Sequence, residues 1–243
     1  MSPGLTVVGV GPGDPDLLTV AAVRSIETAD VIACPVTQIG ASSMAATIAH
    51  RWISSHQTVM PLLFPMVEED APRRQAWHAA ADALAEAIAS GQSVVLLCEG
   101  DASLFATSSY VLLAMQQRHP ACRWRVIPGI TSFSAAAAAM GWPLALQQDQ
   151  LLVTPCPSKE VELDALLDRA EQDRSVLVLL KLGRRWQWVK PRLEVRGILE
   201  RALFAERVGW PDQELAPAAD VPAVERPYFS LLLVRQSWPS VLP

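Results

Sequence analysis

A short apolar run that ends in a glycine–proline turn and restarts as a helix sets the terms for this chain. Leu5-Thr6-Val7-Val8 suits a strand covered on both faces. Gly9, Gly11 and Gly13 remove Cβ atoms where a ligand or another stretch of backbone must come close. Asp16 and Thr19 are the expected helix caps. The turn therefore lies just past the carboxyl end of a strand, where open α/β sheets bind their ligands. A dinucleotide fingerprint would need glycine where Asp14 stands, and a phosphate loop would need a Gly-Lys-Ser/Thr ending that is missing. Pro12 removes a backbone N–H that a phosphate would use. The turn suits a nucleoside-like ligand without phosphates.

Two more units repeat the plan. Val94-Val95-Leu96-Leu97-Cys98 is a strand ending in Glu99-Gly100-Asp101. Trp124-Arg125-Val126-Ile127 is a strand ending in Pro128-Gly129-Ile130-Thr131-Ser132. In a parallel sheet the three loops share one edge. Between them the pattern predicts a helix over 17–29, a strand at Asp30-Val31-Ile32-Ala33 ended by Pro35, and a helix capped by Ser42 or Ser43. It then predicts a loop over 60–72 and helices over 77–89, 108–118 and 133–140. The last of these is almost all alanine, so it can pack very close to the sheet or to a ligand.

Gly141-Trp142-Pro143 and the polar Gln147-Gln148-Asp149-Gln150 mark a domain boundary, giving expected domains of 1–145 and 146–243. The second half reads as a mixed sheet with helices. Its strands lie at 151–153, 176–180, 203–205 and 228–234. Helices are expected over 161–169 and in part over 193–201, with Gly197 interrupting. Residues 210–226 read as a long Pro/Ala/acid-rich excursion.

With 243 residues, 51% of them apolar, the chain can bury a substantial core. A net charge of -5 argues against general nucleic-acid binding. Pro128, Gly129, Gly141 and Pro143 cut the uncharged run 126–148 too short to span a bilayer, and the first residues lack a basic signal-peptide region. A cytoplasmic protein without membrane association is expected. Cys34, Cys98, Cys122 and Cys156 are widely spaced, as are the four histidines. No protein-bound metal is expected, and buried thiols suit a reducing compartment.

The stretch from Val8 to Thr19 resembles the signature of the tetrapyrrole methylases, the class III S-adenosylmethionine methyltransferases. The stretches 97–101, 128–132, 181–184, 199–202, 205–207 and 227–231 are similar to the branch that methylates C20 of precorrin-2. The resemblance runs from about Val8 to Val234. It implies two α/β domains with a trough between them, S-adenosylmethionine folded in it and the tetrapyrrole (precorrin-2 or cobalt-precorrin-2) over it, in a homodimer. By motif it implies cofactor contacts at Pro12, Gly100, Asp101, Leu104, Thr131, Ser132, Leu182, Glu206 and Leu231. Glu99 would also hold the cofactor from the first domain. The chain departs from the pattern where Ala102 replaces a usual proline and Phe105 a usual tyrosine, which removes a hydroxyl.

Methyl transfer from a sulfonium is an in-line displacement that needs alignment and exclusion of water more than a strong nucleophile. The chain offers no triad or metal cluster, which fits. Glu99 and Tyr110 are the candidates for handling the proton, against the plainer roles of a loop carboxylate bonded to backbone or ribose and a helix-packing ring. Arg184 and Arg207 are the candidate partners of substrate carboxylates, against a reading as solvated surface charges. Trp186 and Trp188 suit core packing better than macrocycle stacking. Alternatives keep the fold with another tetrapyrrole position or an RNA ribose as acceptor, or make the chain a non-catalytic binding protein.

Overall fold

The computed structural model describes residues 3–238 apart from 39 and 68. The chain forms two compact units, 1–131 and 132–243. The division falls before the expected one at 145/146, and the alanine-rich helix explains why. Ala136 and Ala137 are buried against Val178, Leu203, Ala205, Leu231 and Leu233. A helix without bulky side chains lies close on the second sheet, so it belongs to the second unit.

The first unit runs β1 (Gly4–Gly9), α1 (Val20–Glu27), β2 (Val31–Val36), α2 (Met44–Ala49), β3 (Thr58–Leu63), α3 (Asp70–Ala89), β4 (Ser93–Cys98), α4 (Thr107–Arg118) and β5 (Trp124–Ile127). The sheet order is β3-β2-β4-β1-β5, and every pairing is parallel. The central strands are buried on both faces, as their unbroken apolar runs require. Leu5, Val7, Val94 and Leu96 share a core with Leu84 of α3 and Val111 and Met115 of α4. Burying a side chain such as Leu84 stabilises by about 1.5–3 kcal/mol.

Local chemistry sets the boundaries. Thr19 caps α1, its hydroxyl accepting from Ala22 N–H at 3.1 Å, and Ser43 caps α2. Asp14, rather than Asp16, caps the short 3-10 turn Pro15–Leu17; Asp16 instead pairs with Arg51 at 3.1 Å. Strand β2 continues through Pro35 because it pairs with β4 only over Val31–Ala33, leaving no ladder bond for Pro35 to break on that side. Residues 60–63, expected in a loop, belong to edge strand β3, where Pro61 is tolerated for the same reason. Gly91, at φ +90°, follows α3.

The second unit runs α5 (Ser132–Ala139), β6 (Leu151–Pro155), α6 (Glu160–Asp173), β7 (Val176–Leu180), α7 (Trp186–Val195), β8 (Ala202–Glu206), β9 (Glu214–Pro217) and β10 (Ser230–Arg235). Its order is β6-β7-β10-β8-β9. Only β6 and β7 are parallel; the other pairings are antiparallel, so the sheet is mixed as expected. Trp186, Val189 and Leu193 bury one face of α7, and the Trp186 indole donates to Pro222 O at 2.9 Å. Trp186 is thus a core residue. The excursion 210–226 contains strand β9, and α7 ends ahead of Gly197, at φ +65°.

Candidate functional site

The first unit brings three loops together at the carboxyl edge of its sheet. They follow β1, β4 and β5, with β1 between the other two. Gly11 N–H donates to Gly100 O at 3.2 Å, and Gly100 N–H donates to Gly11 O at 2.8 Å. A Cβ on Gly129 would meet Gly100 O at 2.1 Å, and one on Gly9 would meet Gly129 N at 2.6 Å. Real side chains do not reach such distances. The cleared space is therefore filled by backbone, and Gly9 serves loop packing rather than ligand approach. Gly100 differs: at φ +66° its Cβ direction is open. That position presents backbone to whatever occupies the edge.

The side chains divide into those that build this edge and those left to face a ligand. Asp101 accepts from Gly129 N–H through Oδ2 at 2.9 Å. Its Oδ1 accepts from Ser103 N–H at 2.9 Å and from the Ser103 hydroxyl. Burial alone would raise its pKa, but these hydrogen bonds outweigh it and hold the carboxyl below its ordinary value. Glu99 goes the other way: burial pushes its pKa up, opposed only by a hydrogen bond from Ala45 N–H at the start of α2. A carboxyl so placed is suited to take or give a proton nearer neutral pH.

The remaining first-unit candidates are dispersed. Pro12 sits half-buried between Gly11 and buried Gly13. Leu104 and Thr131 are half-buried, as is Ser132 at the first residue of the second unit. Buried Ala102 accepts at its carbonyl from the Ser108 and Ser109 hydroxyls, at 3.3 and 3.2 Å. Tyr110 stacks on Trp77 of α3, ring centroids 4.3 Å apart and planes within 7°. Its ring thus pairs two helices and is brought to Glu99 by no contact among those described.

The second unit gathers its own loops, where β7 and β8 end and β10 begins. Lys181 and Arg207 take left-handed φ of +59° and +47° directly after those strands. Leu182 N–H donates to Ser230 O at 3.0 Å and Arg207 N–H to Phe229 O at 2.8 Å. Gly183 N–H donates to the Ser230 hydroxyl at 3.0 Å. The side chains of Leu182 and Leu231 are buried core, so only their backbone can meet a ligand. Glu206 faces Arg226 at 3.5 Å, and Arg226 donates to Glu214 at 2.6 Å; burial pushes the Glu206 carboxyl up. Arg207 pairs with Asp212 at 2.7 Å and lies over the Trp210 ring. Arg184 is exposed and makes no ion pair with another described residue.

Residues 4–221 match the tetrapyrrole (corrin/porphyrin) methylases. The chain belongs to this family. The methylase is 32% identical over 241 residues to the cobalt-precorrin-2 C(20)-methyltransferase of Salmonella typhimurium, a match covering 98% of each chain. It is 32% identical over 235 residues to the precorrin-2 C(20)-methyltransferase of Sinorhizobium sp, covering 93% of each. Among solved structures, the methyltransferase CobJ is similar with a TM-score of 0.68 and 26% identity, covering 96% of this chain and 94% of that one.

Sequence reasoning missed several residues that shape the methylase's loops. Ser103 is one: as the second residue after Asp101 it is placed for an Asx turn, a signal readable from the spacing. Trp77 as partner of Tyr110, and Arg226 with Glu214 beside Glu206, depend on tertiary pairing that no local pattern announces. Cys34, Cys98 and Cys156 are buried free thiols, and burial pushes Cys98 and Cys156 up to about 11, which leaves them unreactive. Among the described residues, no group of three or more His, Cys, Asp or Glu could hold a metal ion. No described helix is long and apolar enough to cross a membrane.

Proposed function

We propose that this methylase transfers a methyl group from S-adenosylmethionine to C20 of precorrin-2, or of its cobalt form, in cobalamin biosynthesis. The observation that carries the reading is the match along 98% of the chain to a cobalt-precorrin-2 C(20)-methyltransferase. It is supported by three interlocked loops at one sheet edge. The fit to a nucleoside-bearing donor rests on that edge: backbone at Gly100 faces open space, and Pro12 leaves no run of N–H groups for phosphate.

When bound, the donor's sulfonium supplies a methyl group already activated by charge. The chain's residues do the rest. Gly100, Leu104, Thr131 and Ser132 hold the donor, largely through backbone, and Pro12 lines the floor beside it. Backbone at Leu182 and Leu231, and the Glu206 carboxyl, are offered as contacts to its adenosine part. Glu99, whose carboxylate is made more basic by burial, accepts the proton that the substituted carbon sheds. Exposed Arg184 takes a peripheral carboxylate of the substrate, while Arg207 contributes less because Asp212 already compensates it. The resemblance further suggests a cytoplasmic homodimer, which light scattering tests.

The deciding experiment incubates the purified protein and methyl-labelled donor with metal-free and with cobalt-loaded precorrin-2. One labelled methyl at C20, located by carbon NMR, is expected from at least one of the two. Labelling at another ring position, or donor binding without transfer to either, would overturn the reading.

A further inference from the structure

We propose that Asp101 acts as a positioning residue, a clamp that fixes the loop after β5 against the loop after β4, and that it shapes the donor site without touching the donor. Both of its oxygens are engaged inside the protein. Oδ2 takes Gly129 N–H at 2.9 Å, and Oδ1 takes both donors of Ser103. The clamp lies where clearance is smallest. Gly129 sits so close to Gly100 O and to Gly9 that no Cβ fits at either glycine, so the loops hold register only while the backbones stay in contact. Among the hydrogen bonds described, the one from Gly129 N–H to Asp101 joins the two loops. Gly100 pairs with Gly11, on the β1 side, and the Gly129 N–H is spent on the carboxylate. Charge-assisted hydrogen bonds to backbone N–H are strong and directional, and here one of them joins Asp101 to Gly129, 28 residues on. The open Cβ direction of Gly100, next to Asp101, is the surface the clamp holds in place.

The inference rests on the donor reading above, and its test separates the two. Hydrogen exchange of residues 127–131 is measured without ligand, and S-adenosylhomocysteine affinity by calorimetry, in wild type, Asp101→Asn and Ser103→Ala. In Asp101→Asn the amide cannot accept from both Gly129 and Ser103 as the carboxylate does. Exchange over 127–131 should speed up, and affinity should fall about tenfold or more. Ser103→Ala, which keeps the carboxylate, should move both in the same direction by less. Weaker binding in Asp101→Asn with wild-type protection over 127–131 would mean that the carboxylate touches the donor, and would overturn the clamp. Lost protection with unchanged affinity would overturn its positioning role. If Asp101→Asn fails to fold, Ser103→Ala decides, and wild-type values in both measurements overturn the proposal. A wild-type protein that binds S-adenosylhomocysteine but methylates no tetrapyrrole refutes the function instead, while the clamp measurements stand.

Discussion

Asp149 Oδ2 lies 2.5 Å from Nη1 of Arg235, a side chain only 1% exposed. The guanidinium also donates to Pro143 O at 3.0 Å and lies over the rings of Trp142 and Trp238. One buried cation at the end of β10 thus fastens the segment between α5 and β6 to the second sheet. This segment reads as an interdomain linker in sequence, and the ion pair is a physical reason it does not behave as one. Removing one partner of a buried pair costs about 3–5 kcal/mol, because the other charge is left uncompensated. Asp149→Ala should lower the urea midpoint by a corresponding amount. Burial raises the Asp149 pKa, but Arg235 and Leu146 N–H outweigh this, so the folded value lies below the ordinary one. Its stability contribution is therefore present above the unfolded carboxylate range and lost as pH falls through the folded value. Wild-type and Asp149→Ala unfolding curves should converge in acid. A difference that persists there would count against the pair.

Glu99 carries the opposite sign. Its folded pKa is raised by burial, so the folded state holds the proton more tightly than the unfolded state, and ionisation opposes folding. Glu99→Gln should raise the melting temperature at pH 7, and the gain should shrink as pH falls through the folded pKa and be gone below the unfolded carboxylate range. The same variant should slow turnover while donor affinity stays near wild type. Calorimetry across pH and single-turnover kinetics read the two effects separately; a melting temperature lowered at pH 7 would contradict the assignment.

The glycines of the loop interlock differ in what they forbid. Gly129→Ala places a Cβ 2.1 Å from Gly100 O, and overpacking of this kind costs about 1–3 kcal/mol. Gly100→Ala meets open space but must hold φ +66°, at about 1–2 kcal/mol. The two should destabilise comparably for different reasons. Gly100→Ala should weaken S-adenosylhomocysteine binding through direct crowding, and it should leave the exchange protection of residues 127–131 intact. Gly129→Ala should lose that protection. Equal protection in both variants would show that the backbone contact is not what sets the loop.

These outcomes bear on how far the sequence alone could lead. The three loops were legible because each follows a largely apolar strand and carries a glycine, and parallel strands put such ends on one edge. Strand β3 was hidden by Pro61, which argues against a strand only where the ladder needs its N–H. Helix α7 was hidden because Pro191 and Trp186 mask the spacing of Val189 and Leu193. The motif points Asp101 toward the donor, and nothing in it announces the Gly129 N–H that the carboxylate accepts from. Ser103 is a local partner that the spacing allows, whereas the approach of Gly129 is fixed by sheet order and by glycine clearances, which no one stretch contains. The alanine helix is small enough in its side chains to pack tightly, as Ala136 and Ala137 do, but its sequence does not say against which sheet.

Arg184 and Arg207 should part company in a substrate titration. Arg184 is exposed and unpaired among the described residues, whereas Arg207 already serves Asp212 and the Trp210 ring. Arg184→Ala should raise the tetrapyrrole KM about tenfold with kcat little changed, the size expected for one charge-assisted contact. Arg207→Ala should move KM less and lower the melting temperature instead, since its loop loses an internal pair. Equal effects on KM would place both guanidiniums on the substrate.

Tyr110 separates chemistry from packing most cleanly. Its ring lies 4.3 Å from that of Trp77, stacked and nearly parallel to it, and such pairs add about 0.5–1.5 kcal/mol beyond the area they bury. Tyr110→Phe keeps the stacked ring and deletes only the hydroxyl. It should match wild type in both melting temperature and kcat, whereas Tyr110→Ala should lose stability by roughly the stacking increment plus the lost burial. Tyr110→Phe with wild-type stability but a kcat reduced a hundredfold or so would be the signature of general acid–base work, and would return the proton-handling role to this hydroxyl.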